Sequence, residues 1–435
     1  MEIDNVKYKR SIPFRNDRLG MFVHWGLYAI PARTEWVRSY EKISKEEYEK
    51  FFDEFDPKNF SMDSWLDLAQ EAGCKYAVLT TKHHDGFCLF DSKYTDFKST
   101  NTKAKRDFVR EFVDSCRSHG IKPGLYYSLI DWHHDDYPKY GDMWHPEREN
   151  IKFKDEKINF DNYIRYMHNQ VEELCTNYGE LAVLWFDFSY GDMVGEKWQV
   201  EKLLKMIRKY QPNAVLDNRI EVDFNGSMNN LGTYGDLGGD FASPEQILPP
   251  NGVLDKNGNP IPWEYVFTMN DSWAYNRTDK NFKTPEMLLN KLVDVVSKNG
   301  NMILNIGPDV NGRVPEESVA AMKFIGNWMK LNGEAIYGAG AAFDIAKPEW
   351  GRYTKKGNTI YAIINELPLG ALPLYGIDKN KIKKVRCLFD GTEMPLYKEW
   401  NVSQYDVAFV GMRETKMYND IMHKMGNIVL EIELA

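Results

Sequence analysis

Asp187 is a single carboxylate in an apolar setting. It follows six consecutive apolar residues, Leu181-Ala-Val-Leu-Trp-Phe186. That run is too short for a soluble helix and lacks the alternation of a half-exposed strand, so it reads as a strand buried on both faces. A charge at the end of such a strand is costly unless it is paired, hydrogen-bonded or used. It could cap the next helix, take backbone N–H bonds or act on a substrate. A second carboxylate, Glu245, lies in Gly238-Gly-Asp-Phe-Ala-Ser-Pro-Glu-Gln246. Its Gly and Pro content predicts a long loop able to reach a site, stiffened by Pro244. Two carboxylates flanking one bond suit glycoside hydrolysis, one as nucleophile or base and the other as proton donor. Spacing alone does not single out this pair among 64 acidic residues.

Histidines follow two other apolar runs, in His24-Trp25-Gly26 and His83-His84-Asp85-Gly86. Three imidazoles at one mouth suggest a metal site or a clamp for polar groups. Neighbouring strand residues face opposite ways, so His83 and His84 cannot both chelate unless the strand has ended. No His-x-His or His-Glu-x-x-His spacing occurs either. The functional reading is therefore a clamp for substrate hydroxyls with no metal or other cofactor; histidines of core or loop are the structural alternative. His133-His134-Asp135-Asp136 reads as a solvated loop or as support behind the site.

These residues need a frame that brings them together. Short apolar strands are expected at Met21–Trp25, Tyr76–His83, Lys122–Ser128, Leu181–Phe188, Asn213–Arg219, Glu264–Asn270 and Asn301–Gly307. Helical periodicity separates most of them, over 62–72, 106–119, 162–178 and 197–210. Thr284-Pro-Glu opens a further helix that ends at Asn299-Gly300. Such alternation predicts parallel strands with crossover helices. No Gly-x-Gly-x-x-Gly follows the first strand, and His24, His83, Tyr127, Asp187, Arg219 and Asn270 all fall at strand C-terminal ends, which a barrel gathers at one mouth. An α/β fold is expected: an irregular, TIM-like (β/α)8 barrel with seven recognisable strands and a long loop-rich stretch over 220–262, at residues 1–338. The runs Thr359–Ile364, Lys384–Phe389, Tyr405–Val410 and Ile428–Glu433 predict a small all-β sandwich at 339–435.

Twelve Trp and 25 Tyr exceed what packing needs and suit sugar stacking. A net charge of −9 argues against nucleic acid and anionic membrane as partners. No run approaches a membrane span, and the first ten residues carry no signal-peptide core. Five scattered cysteines read as buried thiols, so a cytoplasmic location is expected unless a leader has been trimmed.

The ordered series Phe22-Val-His-Trp-Gly26, Glu35-Trp36, Lys82-His-His-Asp-Gly-Phe87, Tyr126-Tyr-Ser128, Asp131-Trp-His-His134, Leu184-Trp-Phe-Asp187, Phe241-Ala-Ser-Pro-Glu-Gln246, Trp263-Glu264, Asn270-Asp-Ser-Trp273 and Leu304-Asn-Ile-Gly-Pro308 resembles the α-L-fucosidases of glycoside hydrolase family 29. The likeness runs from about residue 10 to 340. It implies an irregular (β/α)8 barrel, often followed by a β-sandwich. It also implies a retaining exo-α-L-fucosidase acting through a covalent fucosyl-enzyme, with Asp187 as nucleophile and Glu245 as general acid/base. His24, Glu35, Trp36, His83 and His84 match residues that hold fucose hydroxyls. Tyr127, Trp185 and Arg219 match groups near the nucleophile, and Phe22 and Trp273 match aromatics that shelter the sugar's methyl group. Retention requires carboxyl groups about 5–5.5 Å apart. The expected partner is a fucosylated oligosaccharide or glycoconjugate, and a homo-oligomer is left open. The rivals are a related-sugar glycosidase such as a galactosidase, an inactive fucose-binding protein and a metal-dependent hydrolase.

Overall fold

The structure, a computed structural model, describes residues 6–58, 60–223, 225–255, 257–342, 345–412 and 415–435, with backbone only at 415 and 416. Seven parallel strands form the first sheet: β1 (Leu19–Val23), β2 (Tyr76–Lys82), β3 (Lys122–Ser128), β4 (Val183–Asp187), β5 (Val215–Leu216), β6 (Glu264–Thr268) and β7 (Asn301–Ile306). Their order is β5-β4-β3-β2-β1-β7-β6. The sheet curls until its edges nearly meet, and residues 241–245 fill the gap. Phe241 bridges Asp217 just past β5, while Ala242 and Glu245 bridge Trp263 and Val266 along β6. The chain therefore closes as a (β/α)8-like barrel whose eighth strand is reduced to isolated parallel bridges.

Helices lie around the sheet, and those that link its strands turn an apolar stripe toward them. They are α1 (Val6–Asp17), α2 (Val37–Tyr40), α3 (Lys45–Glu54), α4 (Asp63–Ala72), α5 (Phe108–Ser118), α6 (Phe160–Asn177), α7 (Val200–Tyr210), α8 (Pro285–Ser297) and α9 (Glu316–Asn332). The local signals act as their chemistry dictates. Asp107 and Thr284 cap α5 and α8 through their side chains, and Gly73 ends α4 in the left-handed conformation. α1, α2, α3 and α9 lie outside the stretches where helical periodicity is expected. α1 lies beneath the barrel, where Phe14 packs on Tyr76 and Phe241 at ring distances of 5.2 and 4.8 Å.

The pleat sorts side chains between two cores. Phe22, Tyr76, Val78, Tyr126, Val183, Trp185, Val215, Val266 and Ile303 point into the barrel. Their strand neighbours Leu79, Leu125, Tyr127, Leu184 and Phe186 point out to the helices. β3 and β4 run in register with Tyr126 beside Trp185 and Ser128 beside Asp187.

Beyond α9 the chain forms β8 (Gly340–Ala341), β9 (Gly351–Lys356), β10 (Thr359–Ile364), β11 (Leu372–Leu374), β12 (Ile382–Cys387), β13 (Ala408–Val410) and β14 (Ile428–Leu434). One sheet runs β12-β14-β10-β9-β8 and the other is the pair β11-β13. Alternation along β10 divides two cores: Tyr361 and Ile363 join the barrel's outer core, whereas Ile360, Ala362 and Ile364 face the C-terminal one. This part is not all-β, because α10 (Thr415–Met425) packs into it. Tyr418, Ile421, Met422 and Met425 lie at helical spacing and reach that core.

Candidate active site

The C-terminal ends of the barrel strands open into a cavity of about 800 Å³. Asp187, the last residue of β4, stands in its wall with a side chain 14% exposed. Its Oδ2 accepts from the Tyr126 hydroxyl at 2.9 Å and its Oδ1 from Arg219 Nη1 at 2.9 Å. Arg219 follows β5 and carries the site's central geometry. Its other terminal nitrogen, Nη2, donates to Glu245 Oε2 at 2.8 Å and to the Ser243 carbonyl at 3.1 Å, and Nε donates to Ser243 Oγ at 3.1 Å. One guanidinium thus holds both carboxylates, and its carbon lies 4.7 Å from the centre of the Trp185 ring. The two negative neighbours raise the Arg219 pKa despite its burial, so the group stays charged.

Glu245 is not on a free loop, as its Gly/Pro-rich surroundings had predicted. Val266 N–H donates to the Pro244 carbonyl and Gln246 N–H to the Val266 carbonyl, which ties this segment to β6 as a rudimentary strand. The second carboxylate therefore also sits at a strand end, where a barrel builds its sites.

The histidines line the other side. β2 ends at Lys82, so His83 and His84 are released from strand alternation and both reach the cavity. The Asn305 amide donates to the Trp273 carbonyl at 2.6 Å, so its Oδ1 accepts from His24 Nδ1 at 2.6 Å. His24 Nε2 is then the lone-pair nitrogen, suited to accept from a hydroxyl. His84 Nδ1 pairs with Ser128 Oγ at 2.7 Å, and its Nε2 stands 3.9 Å from Asp187 Oδ2. Among the described residues His83 Nδ1 is buried without a hydrogen-bond partner. Burial pushes His24 down to about 4, His84 to about 3 and His83 well below its ordinary value. All three are neutral imidazoles near pH 7, as a hydroxyl clamp needs.

Glu35 is buried, with Oε2 accepting from the Thr34 hydroxyl at 2.7 Å and the Ala274 N–H at 2.9 Å; desolvation raises its pKa. Trp36 meets the rings of His84, Trp132, Trp144 and Phe188. Phe22 packs beside His24, Tyr126 and Trp185, and Trp273 lies 5.2 Å from the His24 ring. All of these line the same cavity.

Tyr127 does not. Its hydroxyl donates to Gln170 on α6 at 2.8 Å, and its ring lies 4.4 Å from the Lys82 ammonium in the outer core. The tyrosine at Asp187 is Tyr126, one position earlier and on the opposite face of β3. Ser243, Asn305 and Glu264 stand in the quoted motifs without an assigned role, and the structure places each beside the site. Buried Glu264 accepts from Trp185 Nε1 at 3.1 Å and from the Tyr76 hydroxyl, beneath the plate on which Arg219 rests. Burial lifts its carboxyl to about 7. Among the described residues no group of three or more His, Cys, Asp or Glu side chains could hold a metal ion, and no helix is long and apolar enough to cross a membrane.

The comparisons with known proteins agree with this geometry. The family model described as Alpha-L-fucosidase matches residues 2–334. Alpha-L-fucosidase isoenzyme 1 from Paenibacillus thiaminolyticus superposes with a TM-score of 0.93 and 49% identity, over 99% of this chain and 100% of that one. A Bacteroides thetaiotaomicron alpha-L-fucosidase, captured as a covalent intermediate with 2-fluoro-fucosyl fluoride, gives 0.82 and 28% over 98% and 96%. Human plasma alpha-L-fucosidase is 30% identical over 386 residues, which is 82% of this chain and 77% of the human one. The class is a barrel glycoside hydrolase. Within it, the chain belongs to the alpha-L-fucosidase family.

Proposed function

We propose that this chain removes terminal α-L-fucose from fucosylated glycans by double displacement, with Asp187 as nucleophile and Glu245 as general acid/base. The observation that supports this assignment is the shared guanidinium of Arg219, which sets both carboxylates on one side chain's span at the barrel mouth. Asp187 attacks the anomeric carbon while Glu245 gives its proton to the departing oxygen, leaving a fucosyl ester on Asp187. Glu245 then takes a proton from water, whose oxygen attacks the same carbon and frees Asp187. Arg219 and Tyr126 hold the two oxygens of Asp187 by hydrogen bonds and orient it for attack. In Glu245, Oε2 is held by Arg219, so Oε1 is the oxygen for proton transfer.

A deoxy sugar needs an apolar wall for its methyl group and donors and acceptors for its hydroxyls. Phe22 and Trp273 supply the first; His24, Glu35, Trp36, His83 and His84 supply the second. A cytoplasmic location is the companion reading, supported by five free, buried cysteines. The test is Glu245→Ala on two fucosides: hydrolysis with a poor leaving group should collapse, the activated aryl substrate should be spared, and azide should restore turnover. Equal loss on both without azide rescue would assign the acid elsewhere. A panel of aryl glycosides checks the sugar: turnover of a galactoside at the fucoside's rate would refute the methyl pocket.

A further inference from the structure

A buried ion pair lies behind the histidine clamp, among the apolar side chains of the outer core. Lys82 Nζ stands 3.2 Å from Asp131 Oδ2, and both side chains are shut off from solvent. Strand alternation alone would aim Lys82 elsewhere. Tyr76 and Val78 point into the barrel, and an even step along β2 would send Lys82 the same way. A bulge intervenes: Thr80 pairs with Tyr126 and Lys82 with Tyr127, so β2 carries one extra residue there. That turns the lysine outward with Tyr127, whose ring centre lies 4.4 Å from the ammonium.

Both members of the pair lead to His84. The Ile130 carbonyl accepts from Lys82 Nζ at 3.3 Å and from Ser128 Oγ at 2.9 Å. With its proton on Ile130, Ser128 Oγ is the acceptor for His84 Nδ1, 2.7 Å away. His84 Nε2 then carries the lone pair, at the cavity and 3.9 Å from Asp187 Oδ2. Asp131 secures the backbone. Its Oδ1 accepts the N–H groups of His133 and His134 at 2.9 Å each, and its Oδ2 accepts the Tyr166 hydroxyl at 3.3 Å. The next residue, Trp132, donates its N–H to the His84 carbonyl at 2.8 Å. Gly86 closes that turn so near the pair that a Cβ there would fall 2.3 Å from Asp131 Oδ1.

Burying two charges costs desolvation that their attraction often fails to return, and well-packed apolar residues of similar volume serve a fold as well. Stability alone therefore gives no reason for this pair; its contacts do. Resting on the reading of His84 as a clamp for a fucose hydroxyl, we propose that Lys82 and Asp131 are positioning residues for that histidine. The pair fixes the turn that carries His84. The Ile130 carbonyl and the Ser128 hydroxyl pass this order on to the ring, holding it with Nδ1 protonated and Nε2 free to accept.

The test removes the charges and keeps the volume by combining Lys82→Met with Asp131→Asn, whose amide oxygen still serves the two backbone N–H groups. The Kd for L-fucose, read by calorimetry, should rise about tenfold, the scale of one lost hydrogen bond. Added to His84→Ala, the same double change should raise Kd by less than about twofold more, because the residue it acts through is gone. Ser128→Ala should behave alike on both backgrounds. Nitrogen NMR should find His84 protonated at Nδ1 in the native protein and a mixture of tautomers in the double variant. A Kd within about twofold of native in the double variant overturns the proposal, as do losses that multiply on the His84→Ala background. A native His84 protonated at Nε2 overturns it too. If the double variant does not fold, Asp131→Asn alone is judged by the same two Kd criteria. Native L-fucose binding in His84→Ala refutes the clamp reading beneath the proposal, an outcome the pair variants by themselves would not produce.

Discussion

The two halves of the barrel mouth place their functional groups by different means. From β1 to β4 the strands are five to seven residues long, and His24, the His83–His84 pair and Asp187 sit at or just past their ends. Backbone ladders position that half. From β5 to β6 the ladder is nearly gone, since β5 has two residues and its neighbour is a row of bridges. Buried side chains take over. Asp240 Oδ2 accepts from Leu216 N–H and Arg208, and its Oδ1 from Arg10. Glu221 gathers the N–H groups of Thr233, Tyr234 and Gly239. Gly238 permits that last approach, because a Cβ there would fall 1.8 Å from Glu221 Oε1. Asp187 thus belongs to the regular half and Glu245 to the irregular one, with Arg219 joining them. Side-chain scaffolding can aim a group as firmly as a ladder, but each bond in it is a single point of failure.

The largest effect should come from the regular half. Asp187→Ala should cut kcat by about 10⁴-fold or more while fucose binding stays measurable by calorimetry. Near-normal rates on an aryl fucoside would remove Asp187 as nucleophile. Next, Arg219→Lys should cost about 10²–10³-fold, because a point charge cannot hold two carboxylates in the guanidinium's fixed geometry. A loss below about threefold would deny the junction its role.

A smaller contrast tests the pleat. Tyr126→Phe should lower kcat about tenfold, as loss of one hydrogen bond to a charged group does. Tyr127→Phe should leave kcat near native and lower stability by about 1 kcal/mol through the Gln170 bond. The reverse ranking in steady-state kinetics and thermal unfolding would restore Tyr127 to the site.

The last effect leaves catalysis aside and concerns stability and pH. Glu264 has a folded pKa near 7 against an ordinary 4.5, so between those values the native state binds more protons than the unfolded state. Its contribution should therefore fall as pH rises from 4.5 to 7, by up to about 3 kcal/mol, and Glu264→Gln should flatten that slope. The buried imidazoles act in the opposite sense. With folded pKa values below 6.5, they lose stability for the protein as pH drops beneath that value. Denaturant unfolding across pH separates the two, and an unchanged slope in the Glu264 variant would assign the upper window to another group.

Much of this frame was legible along the chain. Apolar runs of strand length, helical stripes and caps are local patterns, and they marked the seven strands and placed Asp187, His24 and His83 at strand ends. The ordered motifs carried the family. α10 was passed over because its stripe of Tyr418, Ile421, Met422 and Met425 lies between strand-like runs.

Other features depend on residues far apart in sequence. A period of two says that Tyr126 and Tyr127 face opposite ways, but only the registration of β3 against β4 decides which one meets Asp187. The bridges of residues 241–245 exist only because β5 and β6 stand on either side. Asp187, Arg219 and Glu245 carry no spacing signal for their shared contact, since closure of the barrel brings them together. Local periodicity determined which residues could reach the mouth. Closure decided which of them meet there, because the pleat and the curl of the sheet set directions that no short stretch of chain contains.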